Sequence, residues 1–483
     1  MQLLTIQRIL GILLSLFSIT MLPAMAVSFY YQDGSIRAFI DAFILLLVTG
    51  LVFWFPARHH RKELKIRDGF IVVVMFWIAL GIAGALPFFL TEVPKMSFTD
   101  AVFESMSGLT TTGATVLTGL DTLPKAVLFY RQFLQWIGGM GIVVLAVAIL
   151  PLLGVGGMQL YRAEMPGPMK DSKLTPRITE TAKALWYIYL SLTIICATAY
   201  YFAGMSGFDA VAHSFSTVAI GGFSTHDASI GYYNSPTIEM ITVVFMLLAG
   251  VNFALHFLGW RHRSIKHYWA DAELRTYISI LFIISLVASG YLYFTNTYSD
   301  PWSAIHHGIF QTVSIGTTTG YTTTDYSVWP GFLPVLLLMV SFVGGCAGST
   351  AGGIKVIRVM LLFKQGYREV LRLIHPNAVF AIKVNNKALP PRVVGAVWGF
   401  FAMYVFCFSI MHLFLMATGL DIVTSFSAVT ACLNNLGPGL GEVGSNFSSI
   451  NAPAKWVLCV AMLLGRLEIF TLLVVLTPAF WRR

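Results

Sequence analysis

Charge is what this sequence has least of. Asp, Glu, Lys and Arg make up 11% of its 483 residues and hydrophobic residues 57%, where soluble domains carry about 25% charged residues. The shortage excludes an ordinary water-soluble domain. It also sets aside the length rule that would divide a soluble chain into units of about 150 residues. Cysteine is scarce too: Cys196, Cys346, Cys407, Cys432 and Cys459 lie in or beside apolar runs, and no two have metal-ligand spacing. They read as small buried hydrophobes, not as disulfides or a zinc site. The first apolar run, Ile6 to Tyr31, is too long for a cleavable signal and lacks a convincing small-x-small site at its end. The apolar runs also lack convergent acids, bases or metal ligands, which argues against an enzyme.

What charge there is follows a pattern. The net charge is +9, yet four linkers hold 22 of the 31 Lys and Arg residues: Arg58–Arg67, Arg162–Lys183, Arg261–Arg275 and Lys355–Arg392. Gly204–Pro236, Thr295–Pro330 and Gly419–Pro453 hold none. Basic and bare segments alternating between apolar runs are the positive-inside pattern of a multi-pass membrane protein, not a nucleic-acid surface. The basic linkers and both termini are expected on the cytoplasmic side, against the lipid bilayer.

About 20 apolar residues cross a bilayer. Ten spans are expected: Ile6–Tyr31, Phe39–Pro56, Gly69–Leu90, Val127–Leu150, Ala184–Phe202, Ile238–Leu258, Tyr277–Phe294, Phe332–Phe363, Val394–Ala417 and Lys455–Phe480. The last eight form pairs, and each pair encloses an outward segment with one plan. A helix cap (Asp100, Asp209, Ser303, Asp421) opens a short semi-polar helix. A polar stretch then ends on glycine: "TTTG" to Gly113, "AIGG" to Gly222, "TTTG" to Gly320 and "NNLG" to Gly437. Cap-to-glycine separations of 13, 13, 17 and 16 residues predict about one extra helical turn in the later two. Four diverged repeats of span, short helix, polar loop and span are therefore expected.

Non-helical backbone at membrane depth survives only when protein shields it or it lines a watery path. Four such segments around one axis would offer backbone carbonyls, and four helix C-termini partial negative charge, to a cation that has shed its water. The glycines supply backbone angles that other residues resist.

These features meet a known family. "ESMSGLTTTGAT", "LQWIGGMGIVVLAVAILP", "GGMQLYRAEMPGP", "IGGFSTHDASIGY", "FVGGCAGSTAGGIKV", "HPNAV" and "LNNLGPGLG" resemble the potassium-translocating membrane subunit of bacterial Trk systems, in the Trk/Ktr/HKT superfamily. The resemblance covers essentially the whole chain. It implies an all-α integral membrane fold of about ten transmembrane helices, with four pore repeats around one pseudo-fourfold pore after two extra N-terminal helices. The segments would be 1–57 (N-terminal hairpin), 58–161, 162–260 and 261–364 (repeats one to three), 365–393 (cytoplasmic linker) and 394–483 (repeat four). It implies K+ held by the backbone carbonyls of Thr111, Thr112, Ile220, Gly221, Thr318, Thr319, Asn435 and Leu436. The filter glycines would be Gly113, Gly222, Gly320 and Gly437; all four being glycine favours potassium over sodium. It also implies K+ uptake across the bacterial inner membrane and a homodimer with one pore per protomer. A peripheral TrkA-type nucleotide-binding subunit would dock on the basic linkers 161–183 and 364–392. No nucleotide fingerprint lies on this chain. A proton- or sodium-coupled symporter using the same pore is the alternative.

Other features carry expectations of their own. Gly344, Gly345, Gly348, Gly352 and Gly353 interrupt the run Phe332–Phe363. They are expected to unwind it as an intramembrane loop, which the family reads as a gate beneath the filter. A phosphate-binding loop is excluded, because Lys355 does not adjoin the last glycine and Ile357 is no magnesium ligand. Arg466 and Glu468 fall deep in the last span, where a charge costs about 2.5–3.5 kcal/mol. Two residues apart on one helix, they would face different ways, with Arg466 donating to carbonyls of the 344–353 loop as a positive barrier. Asp227, Asp325 and Glu442 follow their glycines by five residues and Asp121 by eight, either as solvated loop acids or as a cation-concentrating vestibule. His306-His307 and His59-His60 look like metal pairs but show no further ligand in the sequence.

Overall fold

Helices whose apolar residues run all the way round can bury one side in protein and leave the other to lipid. That is how the long helices of this chain are used in its computed structural model, which describes residues 2–60, 66–139, 141, 178–385 and 387–482. The helices, in chain order, are α1 (Leu3–Ser18), α2 (Met21–Tyr31), α3 (Ile36–Ala57), α4 (Ile66–Leu90), the short α5 (Phe98–Leu109), α6 (Lys125–Gly139), α7 (Ile178–Phe202) and the short α8 (Gly207–Ala219). There follow α9 (Pro236–Ala249), α10 (Phe253–His262), α11 (Ala272–Phe294), the short α12 (Pro301–Gly316), α13 (Leu333–Ser341) and α14 (Val356–Ile374). The last of the longer helices are α15 (Pro391–Ala417), the short α16 (Ile422–Leu433), α17 (Ala452–Arg466) and α18 (Phe470–Leu476); Lys266–Ala270 and Pro478–Trp481 form single helical turns. A two-residue hairpin, Lys383–Val384 with Lys387–Ala388, precedes α15.

Among the described residues six helices are long and apolar enough to cross a membrane, or up to eight if each bent pair counts as one span. Phe282, Ile283 and Leu286 on α11 are exposed as on a lipid face, whereas two thirds of the apolar window of α4 is buried inside the protein. Helices α1 and α3 meet through glycine: a Cβ on Gly11 or Gly50 would fall against the partner backbone, the close approach by which membrane helices pack.

Several expected spans differ in detail. Ile238–Leu258 is not one helix: α9 and α10 meet at 92° across Gly250–Asn252. Lys455–Phe480 is not one either. It bends by 116° after Arg466, where Glu468 and Ile469 take φ of +55° and +53°. The face argument for Arg466 and Glu468 therefore fails, since no helix joins them. Ile6–Tyr31 breaks at Ile19–Thr20, and Phe332–Phe363 unwinds between α13 and α14, as its glycines predict. Most of the second half of Val127–Leu150, the 161/162 segment boundary and most of the linker 161–183 lie outside the described residues.

The four short helices are the innermost elements. Residues 101–109 of α5 and 424–425 and 427–433 of α16 are buried, Ser and Thr included. Their N-caps are Ser97, Ser206, Asp300 and Asp421. Asp100, Asp209 and Ser303, expected as caps, sit three residues later as capping-box partners. Ser97 Oγ accepts from Asp100 N and donates to its carboxylate, and Ser206 does the same with Asp209. Counted from the true caps, α5, α8 and α16 have 12, 13 and 12 residues, and only α12, with 16, is a turn longer. The expected extra turn in the fourth repeat came from comparing a cap with three capping-box partners.

Candidate functional site

Each short helix ends in the same turn. Thr112 N donates to Ser107 O, Gly221 N to Ser216 O and Thr319 N to Ser314 O, each at 2.8 Å, and Leu436 N donates to Ala431 O at 2.7 Å. These are 6→1 bonds of a Schellman end, which needs a left-handed residue. That residue is Thr111 (φ +56°), Ile220 (+55°), Thr318 (+69°) or Asn435 (+54°). Left-handed backbone is unusual for Thr and Ile because of their branched Cβ, and such strain costs of order 1–3 kcal/mol per residue where the surroundings enforce it. The next residue returns to negative φ, and the glycine is positive again, at +82°, +77°, +83° and +100°. Alternating the sign of φ turns successive carbonyls toward one side of the strand.

The four strands close on one another. A Cβ built on Gly113 would meet Gly221 O, one on Gly222 would meet Thr319 O, one on Gly320 would meet Leu436 O, and one on Gly437 would meet Thr112 O, all under 3.0 Å. Each glycine thus lies against the carbonyl of the residue that precedes the next glycine, in the order one, two, three, four, one. The outer ends follow the same cycle. Asp227 accepts from Leu120 N at 3.0 Å, Gly231 N donates to Thr322 O at 3.1 Å, Tyr326 Oη donates to Gly439 O at 3.0 Å, and Phe447 N donates to Thr115 O at 2.7 Å.

Buried polar side chains hold the ring from behind. Glu104, fully buried in α5, accepts from Arg131 Nε at 2.6 Å, from Val116 N at 3.0 Å and from Thr115 Oγ1 at 3.0 Å. Arg131 also donates to Ser224 O at 3.1 Å and stacks over Phe223, 4.3 Å from the ring centroid. Gln135 donates to Gly221 O and accepts from Phe223 N; Asn435 Nδ2 donates to Thr112 Oγ1 and Met462 O. The sequence reading missed Glu104, Arg131 and Gln135. A Glu in the middle of a short semi-polar helix, and "YRQFLQ" on an otherwise apolar one, were signals that could have found them.

The 344–353 loop lies under the ring, with Gly344, Gly348 and Gly353 at positive φ. Its contacts reach the last turn of α8 and two strands: Thr350 Oγ1 donates to Val218 O at 3.0 Å, Gly352 N to Thr318 Oγ1 at 2.7 Å and Gly353 N to Asn434 O at 3.0 Å. Gly345 packs on Gly250 O, and Cys346 N donates to that carbonyl at 2.9 Å, so the loop seats on the α9–α10 bend. Arg466 bridges the loop to the first strand. It donates to Thr350 O at 3.3 Å, Thr111 Oγ1 at 3.4 Å, Gly139 O at 2.9 Å and Gly138 O. Glu468 accepts from Arg358 in α14. Lys355, buried just past the loop, donates to Ala351 O. Two cationic side chains thus stand beneath the ring, of which the sequence singled out one.

The four outer acids are all exposed, and three have local partners: Asp121 pairs with His226, Asp227 accepts from Leu120 N, and Asp325 accepts from Ser327 N at 2.9 Å. Burial works against protonation of His226, but its contacts with Asp209 and Asp121 outweigh it and hold the imidazole above its ordinary value. His306-His307 does acquire a further candidate ligand, Glu239 from α9, contrary to the sequence reading; folding brings it from some 70 residues away.

A sequence model of the TrkH family, described as a cation transport protein, matches residues 35–482. This chain belongs to the TrkH family. Among curated relatives it is 61% identical to the Trk system potassium uptake protein TrkH of Vibrio parahaemolyticus, over 100% of both chains. It is 58% identical to that of Escherichia coli K12 over 99% of both, and 43% identical to TrkG of the same strain over 98% of this chain and 97% of TrkG. The crystal structure of the potassium transporter TrkH from Vibrio parahaemolyticus superposes with a TM-score of 0.91 at 58% identity, covering 100% of both chains. These relatives are named as transport proteins, and the chain is a mostly helical membrane transporter of that family.

Proposed function

We propose that the chain takes up K+ across the bacterial inner membrane through a selective, gated pore at the centre of the four strands. One observation carries this reading: four glycines, each pressed against the next strand's carbonyl, close a ring whose strands share one backbone conformation. Such a ring presents the carbonyls of Thr111, Thr112, Ile220, Gly221, Thr318, Thr319, Asn435 and Leu436 to a cation in place of its hydration shell. The carbonyls do the coordinating, so the strand letters can vary while the glycines cannot. On this reading ten spans make one hairpin and four pore repeats, with both termini cytoplasmic. The names of the relatives, all potassium uptake proteins of Trk systems, support the choice of ion.

The 344–353 loop and Arg466 act as the gate. Ions leaving the ring inward must pass a loop bonded to the strands and a guanidinium that repels them. A TrkA-type subunit on the cytoplasmic linkers would control the gate by binding its open and closed forms unequally. A homodimer would carry two such pores. Flux of Rb+ and Na+ into proteoliposomes tests the reading: Rb+ should pass and Na+ be refused, and Gly113→Ser should admit Na+. Equal Rb+ and Na+ flux through the parent protein would sink it. A reversal potential that shifts with pH would favour the coupled symporter instead.

A further inference from the structure

A cluster outside the pore has the chemistry of a transition-metal site. Glu239 lies in the first turn of α9, and His306 and His307 are consecutive in α12. One ring nitrogen of each histidine and a carboxylate oxygen of Glu239 all lie within 4.8 Å of one another. Glu239 is 4% exposed and His306 7%. His306 Nδ1 stands 3.2 Å from Glu239 Oε2. Even so, Glu239 Oε2 makes no hydrogen bond of good geometry among the described residues, and His306 has only the Pro236 carbonyl beside it. Buried polar atoms are normally satisfied. An ion pair between the two residues, with the Pro236 carbonyl as a second acceptor for His306, would still give His307 no role. His307 is oriented from behind: its Nδ1 lies 3.0 Å from Thr323 Oγ1, and the Tyr298 ring packs 5.1 Å away. A hydroxyl on Nδ1 fixes the ring and leaves Nε2 to coordinate, the usual arrangement of a metal-bound histidine.

We propose that Glu239, His306 and His307 bind a divalent transition-metal ion of the zinc class. Two imidazoles and one carboxylate are a zinc donor set with a fourth position open to water. The site is not one for the transported ion, because imidazole suits zinc-class metals while alkali cations are held by oxygen. Ligands about 2.0–2.2 Å from a tetrahedral zinc stand roughly 3.3–3.6 Å apart, so the three side chains need only small rotations to close on an ion. The site joins two repeats. Helix α9 follows the second filter strand and α12 leads into the third, and the adjoining loops already touch where Gly231 N donates to Thr322 O and Thr322 N to Ser229 Oγ. A metal here clamps the second repeat to the third just outside the ring.

The test uses the full chain in detergent. His262 and His267, whose rings lie 5.1 Å apart, and the adjacent His59 and His60 are first changed to Gln to remove two competing pairs. Zn2+ is titrated by calorimetry and Co2+ by visible absorption. One Zn2+ per chain and the intense bands of four-coordinate Co2+ are expected. Glu239→Gln, His306→Gln and His307→Gln should each weaken Zn2+ binding by at least about tenfold, while Rb+ flux without metal stays at the parent's level. Unchanged Zn2+ affinity in the three variants overturns the proposal, as does Co2+ with only octahedral bands. If Glu239→Gln fails to fold, His307→Gln, whose ring is only half-buried, decides alone.

Discussion

Changing Arg131 to methionine asks whether buried charge holds the ring in shape. The side chains of Arg131 and Glu104 are 1% and 0% exposed and 2.6 Å apart. Removing the cation strips the buried Glu104 carboxyl of its partner and frees Ser224 O of its donor. Breaking one side of a buried pair costs about 3–5 kcal/mol. Coulomb's law agrees in scale: unit charges about 4 Å apart attract by about 4 kcal/mol at an effective dielectric of about 20. Arg131→Met should therefore destabilise by about 3–5 kcal/mol in reversible unfolding in mixed detergent micelles. Because Thr115 and Ser224 flank the strands, it should also lower the Rb+:Na+ flux ratio. The double variant Glu104→Leu/Arg131→Met removes the stranded carboxyl and should recover much of that loss. A coupling of several kcal/mol in the double-mutant cycle is the expected signature. If the two single effects add within about 0.5 kcal/mol, the pair is not coupled and the reasoning is wrong.

Other outcomes are open to simpler assays. Arg466→Ala should raise Rb+ flux several-fold, because it removes both a barrier charge and the bridge to Thr350 O; unchanged flux in vesicles counts against the gate. Gly113→Ala puts a methyl group against Gly221 O and strains a backbone at φ +82°, so selective Rb+ flux should be lost even where the protein still folds, and a variant with parental selectivity would contradict the ring. Neutralising Asp227, Asp325 and Glu442 together should slow uptake mainly at low ionic strength, where a charged vestibule acts at range; equal slowing at all salt concentrations would leave them structural. The raised pKa of His226 means its contacts stabilise the fold fully below its ordinary value near 6.5 and lose that contribution as pH rises through the raised value. The melting midpoint should fall over that range in the parent and not in His226→Asn.

How much of this could be read from the letters depends on the kind of interaction. The glycine of each strand was legible because part of its need is local: each takes a positive φ, to which the next strand's carbonyl then adds a second, non-local exclusion of any side chain. The likeness of "TTTG" to "AIGG" and "NNLG" was legible only as position after a short helix, since what the strands share is a 6→1 turn that four different residues can form. Three of the four caps were misplaced by three residues, Asp421 being the exception, because pairs such as Ser97 and Asp100 are both good capping residues and only the bond directions separate them. Glu104 with Arg131, and Glu239 with His306, stayed hidden for another reason. Their partners are 27 and 67 residues away in sequence, and no periodicity links the two ends of a buried pair. The breaks after Arg466 and Gly250 depend in part on what docks into each bend, as Cys346 does on Gly250 O, although Asn252 also caps α10 locally.

The same bonds give the proposed gate an energy scale. Four contacts hold the 344–353 loop in place: Thr350 to Val218 O in α8, Gly352 to Thr318, Gly353 to Asn434 O and Arg466 of α17 to Thr350 O. A neutral hydrogen bond contributes about 0.5–1.5 kcal/mol net, and one to a charged group about 1.5–3, so together they hold the loop in place by about 3–7 kcal/mol. Moving a two-state element from about 1% to about 99% open takes about 5.5 kcal/mol of differential binding. A cytoplasmic partner could supply that much, and thermal motion alone would rarely do so. Removing the bonds one at a time should then raise basal flux in graded steps. Thr350→Val takes away its bond to Val218 O and should open the path less than Arg466→Ala, and the two together should open it most. If Thr350→Val/Arg466→Ala conducts no more than the parent without a partner, these bonds are not what keeps the path closed.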